Sequence, residues 1–134
     1  MTADSDYKHS ALTETITGVF YDVYNELGFG FLESVYRRAL ALRDKGLVVA
    51  EEVPVSVLFR GRNVGDFKAD LVVNDVVLLE LKTAENIVGA HESQVINYLR
   101  ATHLELGLVL NFGPKPQVRR LLLDNMHKHR KSHH

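Results

Sequence analysis

The chain contains no cysteine, so neither a disulfide framework nor a thiolate metal site can be built from its 134 residues. No apolar run approaches the roughly 20 residues that span a bilayer. The acidic start Met1-Thr2-Ala3-Asp4-Ser5-Asp6 lacks the basic-then-apolar order of a secretory signal. A cytoplasmic protein without membrane association is therefore expected. A large charge of one sign is also missing: the formal net charge is −1, which does not advertise nucleic-acid binding. There is no Gly-rich phosphate loop, no Ser-centred nucleophile elbow, no Cys/His pair for covalent catalysis, and no internal repeat or low-complexity linker.

What is there fits one globular domain. With 46% hydrophobic and 25% charged residues the composition is ordinary, and the length is enough to bury a core. The expected domain runs over residues 1–126, with 1–9 flexible, followed by a disordered basic, His-rich tail at 127–134. Charge is unevenly spread. Asp4, Asp6, Glu14, Asp22, Glu26 and Glu33 face only Lys8 in the first 35 residues, whereas Lys115, Arg119, Arg120, Lys128, Arg130 and Lys131 outnumber Asp124 at the other end. A basic end can contact phosphates or simply be a solvated tail.

Apolar residues at Leu12, Ile16, Val19, Phe20, Val23, Tyr24 and Leu27 recur at spacings of three and four, predicting an amphipathic helix closed by Gly28. A second helical pattern runs from Leu32 to Lys45, ending at Gly46. Val53 to Phe59 alternates as a strand, with Pro54 marking its start or an edge position. Arg60-Gly61-Arg62-Asn63 is expected to turn into a strand from Val64 to Val73. Gly89 to Thr102 is helical again, with Gln94 and Tyr98 on one face. The nearly continuous apolar run Leu106 to Phe112 predicts a strand buried on both faces, parallel to the one at Leu78–Lys82. Val118 to Leu123 fits either an edge strand or a short helix.

The chain is organised around Asp70 to Lys82. Two apolar runs, Leu71-Val72-Val73 and Val76-Val77-Leu78-Leu79, flank Asn74-Asp75 and predict a β-hairpin, the last part of a three-strand antiparallel meander. Asp70 lies at its entry, Glu80 and Lys82 at its exit. The last two are two apart on one strand and share a face. Buried charges of this kind need partners, and a divalent cation with a phosphate suits them, carboxylate oxygens favouring Mg²⁺ or Mn²⁺. A Schiff base on Lys82 is the competing chemistry, which the two flanking acids fit less well. Parity adds a condition: a regular two-residue turn would put Asp70 and Glu80 on opposite faces, so a shared cation requires an odd-numbered loop or a bulge. For Glu33, in the first turn of the second helix, three roles compete: helix-dipole stabilisation, simple exposure, or an inward oxygen ligand. Gln94 is either a solvated helix position or part of the same cleft, Tyr98 a core residue, and His91 a surface or capping histidine.

The order helix, meander, Asp, Glu-x-Lys, helix, strand resembles the PD-(D/E)xK nuclease superfamily. More narrowly, Gly30-Phe31-Leu32-Glu33-Ser34-Val35-Tyr36 spells the motif of the GxxExxY family. The likeness continues through Asp70, Glu80-Leu81-Lys82, Gln94 with Tyr98, and Asn111-Phe112-Gly113, covering roughly residues 10 to 123. Ala69 stands where the first motif often has proline. The resemblance implies an α/β restriction-endonuclease-like domain with N-terminal helices, the meander, a crossover helix and a further strand in a mixed central sheet. It implies Asp70 and Glu80 as ligands of Mg²⁺ or Mn²⁺, the Leu81 carbonyl as an additional ligand, and Glu33 as an outer ligand or water-holder. Lys82 is implied to act on the attacking water and the transition state, and Gln94 to position Lys82 or the scissile phosphate. The implied activity is phosphodiester hydrolysis of nucleic acid, DNA being the expected substrate. The alternative is a non-catalytic nucleic-acid-binding or protein-interaction module on the same fold. A homodimer or a partner protein supplying basic surface is expected from the small size.

Overall fold

The computed structural model describes residues 8–42 and 46–129. Helix α1 (Ser10–Leu27) and helix α2 (Glu33–Leu42) precede a hairpin of β1 (Val49–Phe59) and β2 (Arg62–Val73). Then follow β3 (Val77–Lys82), helix α3 (Gly89–Arg100), β4 (Leu106–Phe112), β5 (Pro116–Leu122) and a short helix α4 (Asn125–His129). The strands form one sheet in the order β1-β2-β3-β4-β5. All neighbours are antiparallel except β3 and β4, which run parallel across the α3 crossover. Pro54 lies in the edge strand β1, where a missing N–H is tolerated.

Helices cover both faces of the sheet, and the apolar alternation in the sequence assigns each side. Ile16, Val19, Phe20 and Val23 of α1, with Tyr36 and Leu40 of α2, pack on Leu71, Val73, Leu79, Leu81, Leu108 and Leu110. On the other face Val95, Tyr98 and Leu99 of α3 pack on Val72, Leu78 and Val109. Helix α3 lies close over β4 at Gly107, where an added Cβ would meet Val95 Cγ1 at 2.5 Å. Since both faces are covered, β3 and β4 need near-continuous apolar sequence, which is what their residues are.

Several expectations are corrected in detail. The first hairpin turns on two residues, Arg60 and Gly61, both at positive φ (52° and 79°), so Arg62 and Asn63 already belong to β2. The ambiguous segment after Pro116 is a strand, because β4 would otherwise expose its second edge. Helix α4 takes in His127, Lys128 and His129, where the composition predicts an unstructured tail. The Lys128 ammonium donates to the carbonyls of Thr102 and Leu104 just past α3, tying the segment down. Lys8, expected in a flexible start, is paired with Glu105 at 3.0 Å and Asp124 at 3.2 Å. Residues 1–7 of that start and 130–134 of the tail lie outside the described residues.

Past the ends of β3 and β4 a buried amide holds the two exits together. Asn111 Oδ1 accepts the Ala84 N–H at 2.9 Å, while Nδ2 donates to Ala84 O at 2.9 Å and to Gln117 Oε1 at 3.1 Å. Gly113 lies against the same turn: a Cβ there would stand 1.9 Å from Ala84 O, a backbone atom that cannot swing away. Gly113→Ala is therefore expected to destabilise the protein by roughly 1–3 kcal/mol, read as a lower denaturation midpoint at unchanged m-value.

Candidate active site

Strand β2 pairs with β3 only through Leu71↔Leu79, Val72↔Leu78 and Val73↔Val77, so the two strands part at Asp70 and Glu80. The connecting loop has three residues, Asn74-Asp75-Val76. Asn74 and Asp75 adopt left-handed conformations (φ 53° and 55°), which Asn and Asp tolerate best among residues with a Cβ. Asn74 is pinned to the start of β1 through Val48, its N–H donating to Val48 O at 2.7 Å and its Oδ1 accepting the Val48 N–H at 2.8 Å. This odd count sets Val73 opposite Val77, and the ladder ends at Leu71 and Leu79, one residue short of Asp70 and Glu80. The alternation of β2 also changes phase here. Ala69 and Val72 both belong to the α3 face, whereas Leu71 and Val73 face α1 and α2. Across from Asp70, Glu52 of β1 has a positive φ of 50°.

Where the ladder stops, the carboxylates take over its bonds. The Leu81 N–H donates to Asp70 Oδ2 at 2.8 Å, and the Asp70 N–H donates to Glu80 Oε1 at 3.2 Å. Backbone donors freed by the fork are thus satisfied by the site's own acids. Lys82, two residues beyond Glu80 on the same face, has its Cα opposite Asn111 of β4.

The electrostatics are those of crowded acids. Glu80 is 4% exposed. Burial, then the Asp70 charge, push its carboxyl up to about 8, against the opposing Asp70 N–H bond and the Lys82 charge. Burial also raises Asp70, countered by the Leu81 N–H, Lys82 and Arg37. Glu33 is exposed at the first turn of α2, but partial desolvation of its carboxyl raises it, Lys82 opposing and Asp70 adding to the rise. Glu33 is thus within electrostatic reach of the pair without a hydrogen bond to either acid. Among the described residues no three His, Cys, Asp or Glu side chains close into a ligand set. The donor set on offer is the Asp70–Glu80 pair, with Glu33 farther out. Its chemistry suits a divalent cation: two hard oxygen ligands whose charged forms burial and mutual repulsion disfavour, a strain that a cation relieves.

Helix α3 supplies the other wall. Gln94 Nε2 donates to the Tyr98 hydroxyl at 3.2 Å. Burial and then the Glu80 charge raise the Tyr98 phenol. His91 caps the helix start, its Nδ1 accepting the Val88 N–H at 3.2 Å, and both burial and the Lys82 charge lower it.

Two residues have roles that spacing alone did not reveal. Arg37, one turn after Glu33 on α2, contributes to the field at Asp70 and lies 3.5 Å from Glu51 and 3.7 Å from Glu52. Its i, i+4 relation to Glu33 was the available signal. Tyr36, fully buried, stacks on Phe112 at 4.1 Å between centroids. Its hydroxyl donates to Gly28 O at 2.6 Å and accepts the Phe31 N–H at 3.3 Å. Tyr36 thus fixes the 28–31 turn, with Gly30 at φ 113°, and through it the point where α2 begins with Glu33. Removing the hydroxyl (Tyr36→Phe) is expected to cost about 1 kcal/mol in chemical denaturation, because a partly buried carbonyl and N–H lose their partner.

A mixed sheet flanked by helices, with opposed acidic residues at a strand fork and a lysine two residues on, defines a restriction-endonuclease-like fold carrying the D…ExK signature. The profile of the PD-(D/E)XK nuclease superfamily matches residues 10–121, and the chain belongs to that superfamily. No curated protein matches the chain. Among solved structures it is similar to the crystal structure of SSO0001, with a TM-score of 0.55 and 18% identity over 97% of this chain. The chain spans 65% of that protein's length, and the likeness is one of fold. No helix among the described residues is long and apolar enough to cross a membrane.

Proposed function

We propose that this protein is a metal-dependent nuclease that hydrolyses phosphodiester bonds in nucleic acid, with DNA as the expected substrate. The observation that carries the reading is the opposed pair Asp70–Glu80 at the β2–β3 fork, with Lys82 on the Glu80 face. Asp70, Glu80 and the Leu81 carbonyl would hold Mg²⁺ or Mn²⁺, with Glu33 as an outer ligand or water-holder. When bound, such a cation lowers the pKa of a water and neutralises charge building on the phosphate. The Lys82 ammonium orients the attacking water and stabilises the extra negative charge at phosphorus. Gln94, held by Tyr98, positions Lys82 or the phosphate. The Asp70 and Glu80 oxygens that accept backbone N–H groups are kept in place by those bonds, so little reorganisation is needed when the site is loaded. Gly30, at positive φ, and Tyr36, bonded to Gly28 and Phe31, both shape the turn that leads into Glu33, which supports the narrower GxxExxY reading.

The test is cleavage of labelled single-stranded, duplex and branched DNA and of RNA by purified protein in Mg²⁺ or Mn²⁺. Metal-dependent cutting that EDTA abolishes is expected. Binding without turnover in either metal would favour the non-catalytic module instead.

A further inference from the structure

Two hollows with exposed aromatic residues adjoin elements that carry the acidic pair or pack against it. The first, of about 290 Å³, is formed by the loop between α1 and α2 against the ends of β3 and β4, with Phe29, Phe31, Thr83 and Glu85 among its lining. Phe29 is 59% and Phe31 48% exposed. The Phe31 ring stands edge-on to Tyr36, and its N–H is held by the Tyr36 hydroxyl, so the loop presents the ring on a pinned backbone. Thr83 directly follows Lys82, and Glu33 lies two residues beyond Phe31. The second hollow, of about 630 Å³, lies between the β1–β2 hairpin and α3, with Phe67, Ser56, Asn97 and Arg100 in its wall. Phe67 is 46% exposed and touches Tyr98 with ring centroids 5.6 Å apart. Tyr98 in turn lies within the field of Glu80 and Asp70.

Resting on the nuclease reading, we propose that this site takes an unpaired nucleic-acid strand, whose bases on either side of the cleaved phosphate stack on Phe29 and Phe31 in one hollow and on Phe67 in the other. Charge argues for bases rather than phosphates as the occupants. Duplex binders draw most of their affinity from phosphate contacts, yet this chain has a net charge of −1 and three acids at its centre. Glu85 at the rim of the first hollow repels a phosphate and can accept a hydrogen bond from an exocyclic amine. Stacking on aromatic faces is the affinity that remains, and only unpaired bases expose their faces to it. Asn97 beside Phe67 offers the edge of a base a hydrogen-bond partner, and Arg100 can hold the phosphate next to that base.

The test measures binding of a short labelled DNA strand, the matching duplex and an abasic strand of equal length. Mg²⁺ is present, and the Lys82→Ala background slows cutting enough for binding to be read first. Phe31→Ala and Phe67→Ala are each expected to weaken the single strand roughly tenfold and leave the duplex unchanged, and the abasic strand is expected to bind as weakly as the variants do. Phe29→Ala, at a more exposed position, guards against a folding artefact, and thermal melting checks all three. Duplex bound as tightly as single strand, or aromatic variants that change nothing, would overturn the proposal. Efficient cutting of duplex by the wild type would remove this inference and leave the nuclease reading intact. Aromatic-dependent binding of the strand with no cutting by the wild type in any divalent metal would instead remove the nuclease reading, and with it the proposal of a cleaved phosphate.

Discussion

Replacing Lys82 with alanine is expected to lower the metal-dependent cleavage rate roughly 10²- to 10³-fold, in single-turnover assays at saturating Mn²⁺, without weakening metal binding. The charge of Lys82 acts on every acid in the site, opposing the rise of Glu80, Asp70 and Glu33. On the proposed reading it faces the negative charge that accumulates when water attacks phosphorus. In a half-buried position such a charge is screened less than it would be in open solvent. Its removal takes a positive neighbour from the cation as well, so the metal itself is not expected to dissociate more readily. Equal rates for Lys82→Ala and wild type would mean that any cleavage arises elsewhere, and would end the assignment of this lysine.

Glu80→Gln separates the proposed metal-holding role from the fold. A carboxyl whose pKa is raised from 4.5 to about 8 keeps its proton in the folded chain after the unfolded chain has lost it. The folded state then binds more protons than the unfolded state, so stability conferred by that proton is complete below about pH 4.5 and fades as pH rises through about 8. The metal-free wild type should accordingly weaken across that window, losing at most ~1.4 kcal/mol for each step of one in pH. Glutamine imitates the protonated acid and keeps the oxygen that accepts the Asp70 N–H. The variant is expected to lack this decline and, at pH 8, to melt roughly 5–10 °C higher than the metal-free wild type. Mn²⁺ should raise the wild-type melting temperature, because it binds only the folded site, and should leave the variant unmoved. A wild type whose stability is flat over the window, or a variant still stabilised by Mn²⁺, would contradict this account of Glu80.

The two predictions read different parts of one arrangement. Lys82 is tested by rate at full metal occupancy, Glu80 by stability without metal and by its response to metal. A chain that satisfied the second and failed the first would be a metal-binding module without turnover.

Much of this was legible in the residues themselves. Periodicity placed α1, α3 and the doubly buried β4, since a covered face requires apolar side chains at fixed spacing. The Glu80-x-Lys82 pair shares a face because strand geometry allows nothing else. Local pattern also posed the parity question at Asp70 and named its two solutions. It could not choose between them, since loop length depends on which residues pair across the sheet. Asn74 bound to Val48, a residue distant in sequence, helps hold the three-residue turn. The same limit hid the strand at β5, whose identity follows from the open edge of β4, and the helix at α4, held by Lys128 on carbonyls at the far end of α3. Short-range chemistry by itself determined α1, α3, β4 and the shared face of Glu80 and Lys82. Only the packed sheet decided that β2 and β3 part at Asp70 and Glu80, because the burial and mutual repulsion that make those carboxyls fit for a cation arise from neighbours brought together by the tertiary fold.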